Sequence, residues 1–294
     1  MDHGDVFEQQ RPRLFALAYR MLGSVADAED VVQESFLRWQ QVAADTVASP
    51  GAYLSTVVTR LCIDHLRTAR VQREQYIGPW LPEPLLTTDD GPDTTTELAE
   101  SLSMAFLRLL EHLSPTERAV FLLHDVFSYD FAEIAPMVGK TPVNCRQIAR
   151  RARQHLAADR PRFDVPRPER HRLLHRFLDA CQHGDMDGLL ALLAPDATLY
   201  SDGGGKVTAA LKPIYGADKI ARFFLGIARK APPGVTFSFT EINGEPGVAT
   251  FLNGALFNVI TLHAEAHHIR ELYIIMNPDK LQVLRKEGFG EERG

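Results

Sequence analysis

The spacing of apolar residues changes its period once along this 294-residue chain, and that change limits the folds available to it. As far as Arg162, apolar residues recur every three or four positions, which predicts amphipathic α-helices. After a linker-like FDVPRPE segment, three helical stretches are followed by alternating segments such as VTFSFTEI from Val235. We therefore predict helical modules followed by a separate α+β domain, in which three helices pack on a curved antiparallel sheet.

The stretch from Ser128 to Leu156 predicts a helix-turn-helix. Ser128 is suited to cap the first helix, and Gly139 to end it in the left-handed conformation. Thr141 as N-cap and Pro142 at the first helical position then start a second helix, because proline has the required φ and lacks an N–H that would be unpaired there.

The second of these helices has an apolar face and a basic face. From Lys140 to Arg162 the chain carries seven Lys and Arg against one acid, Asp159, although its net charge is −6. Glutamine can pair with adenine and arginine with guanine, so this face is a candidate reader of DNA. An ordinary solvated basic surface is the alternative. The outward residues are Val143, Arg146, Gln147, Arg150, Arg151 and Gln154.

Composition argues against several other classes of protein. The three cysteines are too few and too scattered for a disulfide framework or a zinc site. His171 and His175 stand four residues apart but lack a third ligand nearby, so we predict no metal and no cofactor. The polar N-terminus and the absence of an apolar run of about 18 residues predict a cytoplasmic protein without a signal peptide or membrane anchor.

Three motifs predicted to be helical follow one another in the part of the chain before the linker-like segment. They are DAED from Asp27, YLSTVVTRLCIDHLR from Tyr53 and SPTERAVFLLHDVFSYDFAEIA from Ser114. Over residues 5–160 this order and spacing resemble bacterial sigma factors of the sigma-70 family, in particular the extracytoplasmic-function (ECF) group. The resemblance implies a factor that binds core RNA polymerase and directs promoter-specific transcription initiation.

The resemblance also implies roles for particular residues. The residues expected to dock on the clamp helices of the polymerase largest subunit are Asp27, Glu29, Asp30, Gln33 and Glu34. The residues expected to contact melted promoter DNA are Arg60, Asp64, His65, Arg67 and Arg70. The residues expected to contact the upstream promoter element are Thr141, Asn144, Arg146, Gln147, Arg150 and Arg151.

The sequence departs from the common pattern of that family at three places. Tyr53 stands where a tryptophan is usual, and Arg60 where an asparagine is frequent. In the recognition helix, residues Asn144 to Ile148 replace the usual T-V-K-S-R run. Polymerase docking is therefore a safer expectation than any particular promoter sequence.

The C-terminal part resembles the SnoaL-like domains, a superfamily whose members contain a cone-shaped pocket. Such a domain fused behind a sigma factor defines a recognised subgroup. We expect a region 2 module at 1–76, a linker at 77–93, a region 4 module at 94–163 and a SnoaL-like domain at 168–294. The resemblance implies that this domain regulates the sigma modules in cis through three motifs. They are WLPEP (Trp80, Leu81, Pro82, Glu83, Pro84), DGGGK (Asp202, Gly203, Gly204, Gly205, Lys206) and NPDKL (Asn277, Pro278, Asp279, Lys280, Leu281).

Each of the three motifs has a plainer interpretation. The WLPEP segment could cover a local apolar patch instead of docking through Trp80. The DGGGK segment could be a mobile turn, and it lacks the spacing of a phosphate-binding loop. The NPDKL segment could simply end the fold.

Two alternative functions belong to the C-terminal domain. A working enzyme would need an acid or base in the cone, for which Asp202, His263 and His267 are the first candidates. Their spacing does not demand such chemistry, so we predict that the protein is not an enzyme. A small ligand bound in the cone could instead shift the sigma modules between two arrangements.

Overall fold

The computed structural model describes residues 3–43, 47–87, 100–157 and 161–286. They form two compact units, each built from two stretches of chain. The first unit comprises Met1–Gln75 and Leu107–Arg160, and the second comprises Tyr76–Phe106 and Pro161–Gly294. The segment between the two helical modules therefore belongs to the unit that contains the C-terminal domain.

The first unit is entirely helical in its described part. Its core includes the fully buried side chains of Tyr19, Trp39 and Leu54. The boundary between the units falls within α4, and α5 continues into one π-helical turn, Leu122–Val126. The helices are α1 (His3–Leu22), α2 (Val25–Gln40), α3 (Pro50–Glu74), α4 (Met104–Leu110), α5 (Pro115–Phe121), α6 (Phe131–Val138) and α7 (Pro142–Leu156).

The helix-turn-helix is formed by α6 and α7, and most of its predicted boundaries are confirmed. Gly139 ends α6 with φ of 64°, and the Thr141 hydroxyl accepts a hydrogen bond from the Asn144 N–H at the start of α7. The prediction for the start of α6 is wrong. Asp130 is the N-cap, and its N–H donates to the Glu133 carboxylate at 2.8 Å. Ser128 cannot cap the helix because it lies two residues earlier, with φ of 58°.

The second unit packs three long or medium helices on one six-stranded sheet and adds a short terminal helix. The helices are α8 (Arg167–His183), α9 (Met186–Leu192), α10 (Ala217–Lys230) and α11 (Gln282–Lys286). The strands are β1 (Leu193–Asp202), β2 (Ile214–Tyr215), β3 (Val235–Ile242), β4 (Glu245–Leu252), β5 (Ala255–Glu265) and β6 (His268–Ile275).

The strand order is β2-β1-β6-β5-β4-β3. Strands β3 to β6 form the predicted antiparallel succession, but the expectation of a wholly antiparallel sheet is wrong because β1 pairs with β6 in parallel. Strand β1 was not predicted from the sequence. The LAPDATLYSD run places Pro195 and Asp196 inside the strand, where its register with β6 shifts, so it lacks a clean alternation.

Each face of this sheet has its own apolar core. Successive residues of β6 alternate between them, as strand geometry requires: Leu272 and Ile274 belong to the first core, Tyr273 and Ile275 to the second. Helices α8, α9 and α10 cover the first face. The second face is covered by Leu81 and other residues of the 76–106 segment, together with the chain that follows β6.

Candidate functional site

The recognition helix α7 turns its predicted apolar face inward and its basic face outward. The side chains of Arg146, Gln147, Arg150 and Arg151 are exposed. Arg146 also lies over the Phe131 ring at 5.8 Å. Asn144 is half-buried, and the Thr141 hydroxyl already serves as the N-cap acceptor. The buried side chains are Cys145, Ile148, Ala149, Ala152 and Leu156.

Four of the five candidate DNA-contacting residues on α3 already have partners within the first unit. The Arg60 guanidinium donates to the backbone carbonyls of Pro136 at 2.7 Å and Met137 at 3.3 Å, at the end of α6. Asp64 and Arg67 form an ion pair at 2.9 Å, with both side chains largely exposed. His65 Nε2 lies 3.3 Å from the Asp27 carboxylate. The side chain of Arg70 lies outside the described part of the structure.

The candidate polymerase-binding residues form the outer face of α2. Asp30 and Gln33 are exposed, and the other three are partly exposed. Glu29 accepts from Arg11 at 2.7 Å and Glu34 from Arg38 at 2.8 Å. Surface pairs of this kind contribute between zero and about 1 kcal/mol each, so they leave these carboxylates available to a partner.

The three predicted regulatory motifs converge on the carboxylate of Asp202, which is 1% exposed. Its Oδ1 accepts from the Tyr76 hydroxyl at 2.6 Å and the Gly204 N–H at 3.0 Å. Its Oδ2 accepts from the Leu81 N–H at 2.9 Å and Lys280 Nζ at 2.7 Å. We call these residues, with Asn277, the Asp202 cluster.

Lys280 and Asn277 bring the C-terminal motif into this cluster. Lys280 is buried, donates to the Leu81 carbonyl as well, and its Nζ lies 4.2 Å from the centroid of the Trp80 ring. The Asn277 side-chain amide donates to the Tyr76 hydroxyl at 2.9 Å. Burial and the hydrogen bond to the anionic Asp202 raise the pKa of Tyr76, so its hydroxyl stays a donor.

The DGGGK segment is a tight turn whose glycines are required by space. Gly204 has φ of 61°, and a Cβ there would lie 2.3 Å from the Asn277 amide nitrogen. Gly205 has φ of 69°, and its Cβ would lie 2.9 Å from the Ile77 side chain. At the rim of the turn, Lys206 and Asp279 form an exposed ion pair at 2.5 Å. A mobile turn is therefore the poorer description of this segment.

The linker runs in extended form from the Asp202 cluster to the hairpin between β3 and β4. The Leu85 N–H donates to the Asn243 side chain at 3.0 Å, and the Asn243 N–H donates back to the Leu85 carbonyl at 2.8 Å. Leu86 forms an isolated antiparallel bridge with Ile242. Residues 88–93 of the predicted linker lie outside the described part.

The linker side chain at the centre of the packing is Leu81 rather than Trp80. Leu81 is 0% exposed within the second core, whereas Trp80 is partly exposed and covers Lys280. The remaining motif residues surround these contacts. Pro82, Pro84, Gly203 and Leu281 are buried, and Glu83 and Pro278 are partly exposed.

Two residues of this arrangement were not predicted from the sequence. Tyr76 lies just before the predicted linker, and Asn243 sits in a β-turn with φ of 56°. The Asn-Gly pair at Asn243 signals a turn, but nothing local indicates that its side chain also binds Leu85 and the Leu102 carbonyl. No signal in the sequence singles out Tyr76, whose partner is 126 positions away.

The candidate catalytic residues do not gather in one site. Asp202 belongs to the cluster above. His263 is buried beside Glu265 at 3.2 Å, and burial lowers its pKa. His267 is exposed and contacts Glu169 at 2.7 Å. In the described ranges, no group of three or more His, Cys, Asp or Glu could hold a metal ion, and no helix is long and apolar enough to cross a membrane.

Three protein-family models match successive parts of the chain. Sigma-70 region 2 matches residues 6–71, Sigma-70 region 4 matches residues 103–156, and a SnoaL-like domain matches residues 174–271. These matches define a sigma-70 type transcription factor with an additional C-terminal domain.

Relatives of known name extend across nearly the whole chain. The ECF RNA polymerase sigma factor SigJ of Mycobacterium tuberculosis is 41% identical over 250 residues, 83% of this chain and 80% of that protein. The probable ECF RNA polymerase sigma factor SigI of the same species is 33% identical over 280 residues, 94% of each chain. A crystal structure of SigJ has a TM-score of 0.77 at 35% identity and covers 94% of this chain and 97% of its own.

The chain therefore belongs to the ECF RNA polymerase sigma factors. It binds core RNA polymerase and promoter DNA and directs promoter-dependent transcription initiation. The predicted family and fold class are confirmed.

Proposed function

We propose that the SnoaL-like domain regulates the sigma modules in cis by holding the segment that connects them. The observation that carries this proposal is the convergence of three distant motifs on the buried Asp202 carboxylate. Leu81 comes from the linker, Gly204 from the turn after β1, and Lys280 from the segment after β6. A linker that merely covered an apolar patch would not need a buried ion pair at its centre.

The cost of burying Asp202 without its hydrogen-bond donors favours a linker contact that is either fully formed or fully lost. A carboxylate buried without partners loses several kcal/mol of hydration, so Asp202 requires its donors. Each hydrogen bond to a charged group contributes roughly 1.5–3 kcal/mol. Since Leu81 supplies both a donor to Asp202 and an acceptor to Lys280, releasing the linker would disturb both members of the ion pair.

The sigma surfaces have separate roles in this proposal. The outer face of α2, with Asp27, Glu29, Asp30, Gln33 and Glu34, docks on the clamp helices of the largest polymerase subunit. On α7, Arg146, Gln147 and Arg150 read the upstream promoter element, and Arg151 contacts phosphate. Arg60 contacts the melted promoter after leaving the α6 carbonyls, because its guanidinium cannot serve both.

The C-terminal domain acts by binding and not by catalysis in this account. The relatives bear the names of sigma factors, and Asp202, His263 and His267 are dispersed, which supports this assignment. The protein works in the cytoplasm, where the polymerase and the chromosome are.

Promoter-dependent transcription by the reconstituted holoenzyme tests cis regulation. Asp202→Asn keeps the side-chain shape but removes the charge that Lys280 pairs with. Asp196→Asn on the same strand is the matched control, since Asp196 is exposed and pairs only at the surface with Arg270. We expect Asp202→Asn to change transcript yield by about fivefold or more, the lower range of allosteric coupling, and Asp196→Asn to leave it unchanged. Equal yields from all three proteins would refute the proposal.

A further inference from the structure

The SnoaL-like domain contains a cavity of about 670 Å³ that is separate from the Asp202 cluster. It lies on the sheet face covered by α8 and α10, and most of its lining is apolar, including Phe224 and Ile260. Ile227, Phe237 and Phe257 also line it and are each more than two-fifths exposed, so apolar surface continues outward. Ligand-binding cavities in proteins commonly have about this size and an apolar lining with a few polar groups.

Two of the polar side chains that line the cavity, Thr250 and Asn258, are buried. Thr250 on β4 and Asn258 on β5 are directly opposite each other in the sheet and are 7% and 8% exposed. Among the described residues, neither the Thr250 Oγ1 nor the Asn258 Oδ1 has a hydrogen-bond partner. A buried polar atom left unpaired destabilises the fold, because it loses its hydrogen bonds to water and gains none in exchange. A ligand that paired with both atoms would recover that energy.

The charge of the lining indicates the chemistry of the ligand. None of the described residues that line the cavity is Asp, Glu, His, Lys or Arg. Burial raises the pKa of Cys181 to about 12, so its thiol is neutral at physiological pH. Charged ligands would lose their hydration without gaining an ion pair. We propose that this cavity binds an uncharged, mainly apolar small molecule whose hydroxyl group pairs with Thr250 and Asn258.

Two residues that line the cavity are each followed in the chain by a residue of the Asp202 cluster. Ser201 lines the cavity and Asp202 follows it, while Met276 lines the cavity and Asn277 follows it. The Met276 and Asn277 N–H groups both donate to the Asp202 carbonyl at 2.9 Å. A ligand that displaces Ser201 or Met276 would therefore also move the adjacent residue, Asp202 or Asn277, which belongs to the cluster that holds the linker. This link rests on the proposed function, whereas ligand binding itself does not.

Binding to the full-length protein by calorimetry tests the inference with two probes that differ by one hydroxyl, 1-naphthol and naphthalene. Wild type is expected to bind 1-naphthol several-fold more tightly, in line with about 1 kcal/mol for one hydrogen bond. Thr250→Val, which preserves shape, and Asn258→Leu should each reduce that preference while naphthalene still binds. Because Thr250→Val removes an unpaired buried hydroxyl, it should not lower the melting temperature.

Three results would overturn the inference: no binding of either probe, equal affinity of wild type for both, or a preference that survives in both variants. A lower melting temperature of Thr250→Val would also count against it, since it would mean that bound water already satisfies the hydroxyl. The measurement uses neither polymerase nor promoter. If the binding measurement contradicts the inference, the proposal of cis regulation is unaffected. If the transcription test contradicts cis regulation, the proposed binding site is unaffected.

Discussion

Asp202 shows at the scale of one residue how a buried charge can specify a contact. Its two oxygens accept four hydrogen bonds, one of them from the ammonium group of Lys280. Hydrogen bonds to an ionised group are short and strong, and a buried ion pair needs such additional bonds to offset its lost hydration. The cluster therefore defines one position for Leu81, which an apolar surface alone would not do.

Gly204 offers a test of how closely the turn and the C-terminal motif fit together. Gly204→Ala and Gly254→Ala both place a Cβ at positive φ, which costs about 1–2 kcal/mol. At Gly254 nothing lies within 4 Å of that Cβ, whereas at Gly204 it would meet the Asn277 side chain. We expect thermal unfolding to show a clearly larger loss of stability for Gly204→Ala. Equal losses would mean that Asn277 moves away freely.

Glu245 gives a prediction of pH dependence. Burial raises the pKa of Glu245 to about 7 from its ordinary 4.5, against the opposing effect of Arg170 at 2.5 Å. Between these two values the folded state binds more protons than the unfolded state. The resulting stabilisation is complete below pH 4.5 and is lost as the pH rises through about 7.

Thermal unfolding of wild type and Glu245→Gln from about pH 8 to about pH 5 tests this titration. Glutamine does not titrate, so the stability of wild type relative to the variant should rise as the pH falls, by at most about 3 kcal/mol. A difference that stays constant, or that grows with rising pH, would show that Arg170 keeps Glu245 ionised in the folded state.

At the scale of elements, α7 carries the prediction on promoter recognition. In competition binding by the holoenzyme, Gln147→Ala should lower affinity for the preferred upstream element by about 1–3 kcal/mol and relax base preference at one position. Arg153→Ala is the control because Arg153 is engaged with Asp125 at 2.9 Å. A uniform loss across all sequences, or an equal loss from Arg153→Ala, would exclude Gln147 as a base-reading residue.

The helices were largely predictable from the sequence, but the sheet and the cluster were less so. The apolar residues of α7 recur at helical spacing, and the apolar face predicted for this helix is buried. Strand β1 was not predicted because its pairing with β6 depends on residues about 75 positions away. The alternation of apolar and polar residues along β1 is also interrupted. The motifs marked Asp202 and Lys280, but their partnership with Tyr76 and Leu81 arises only from the tertiary fold.

At the scale of the whole molecule, the connection between the two sigma modules is part of the C-terminal unit. The described parts of this connection, residues 76–87 and 100–106, lie between the helical modules in the chain but pack with the SnoaL-like domain. A regulator that acts through this segment must favour one state of the protein over another, since equal affinity for both states shifts nothing. The linker contact is therefore expected to differ between the free protein and the polymerase-bound protein.

Hydrogen exchange at the Leu81 amide tests that claim most directly, because this N–H donates to Asp202 inside the cluster. We expect strong protection in free wild type, and much weaker protection both in free Asp202→Asn and in wild type bound to core polymerase. The Leu262 amide in the middle of β5 is the internal reference and should remain protected throughout. Equal protection of Leu81 in all three samples would contradict regulation through the linker.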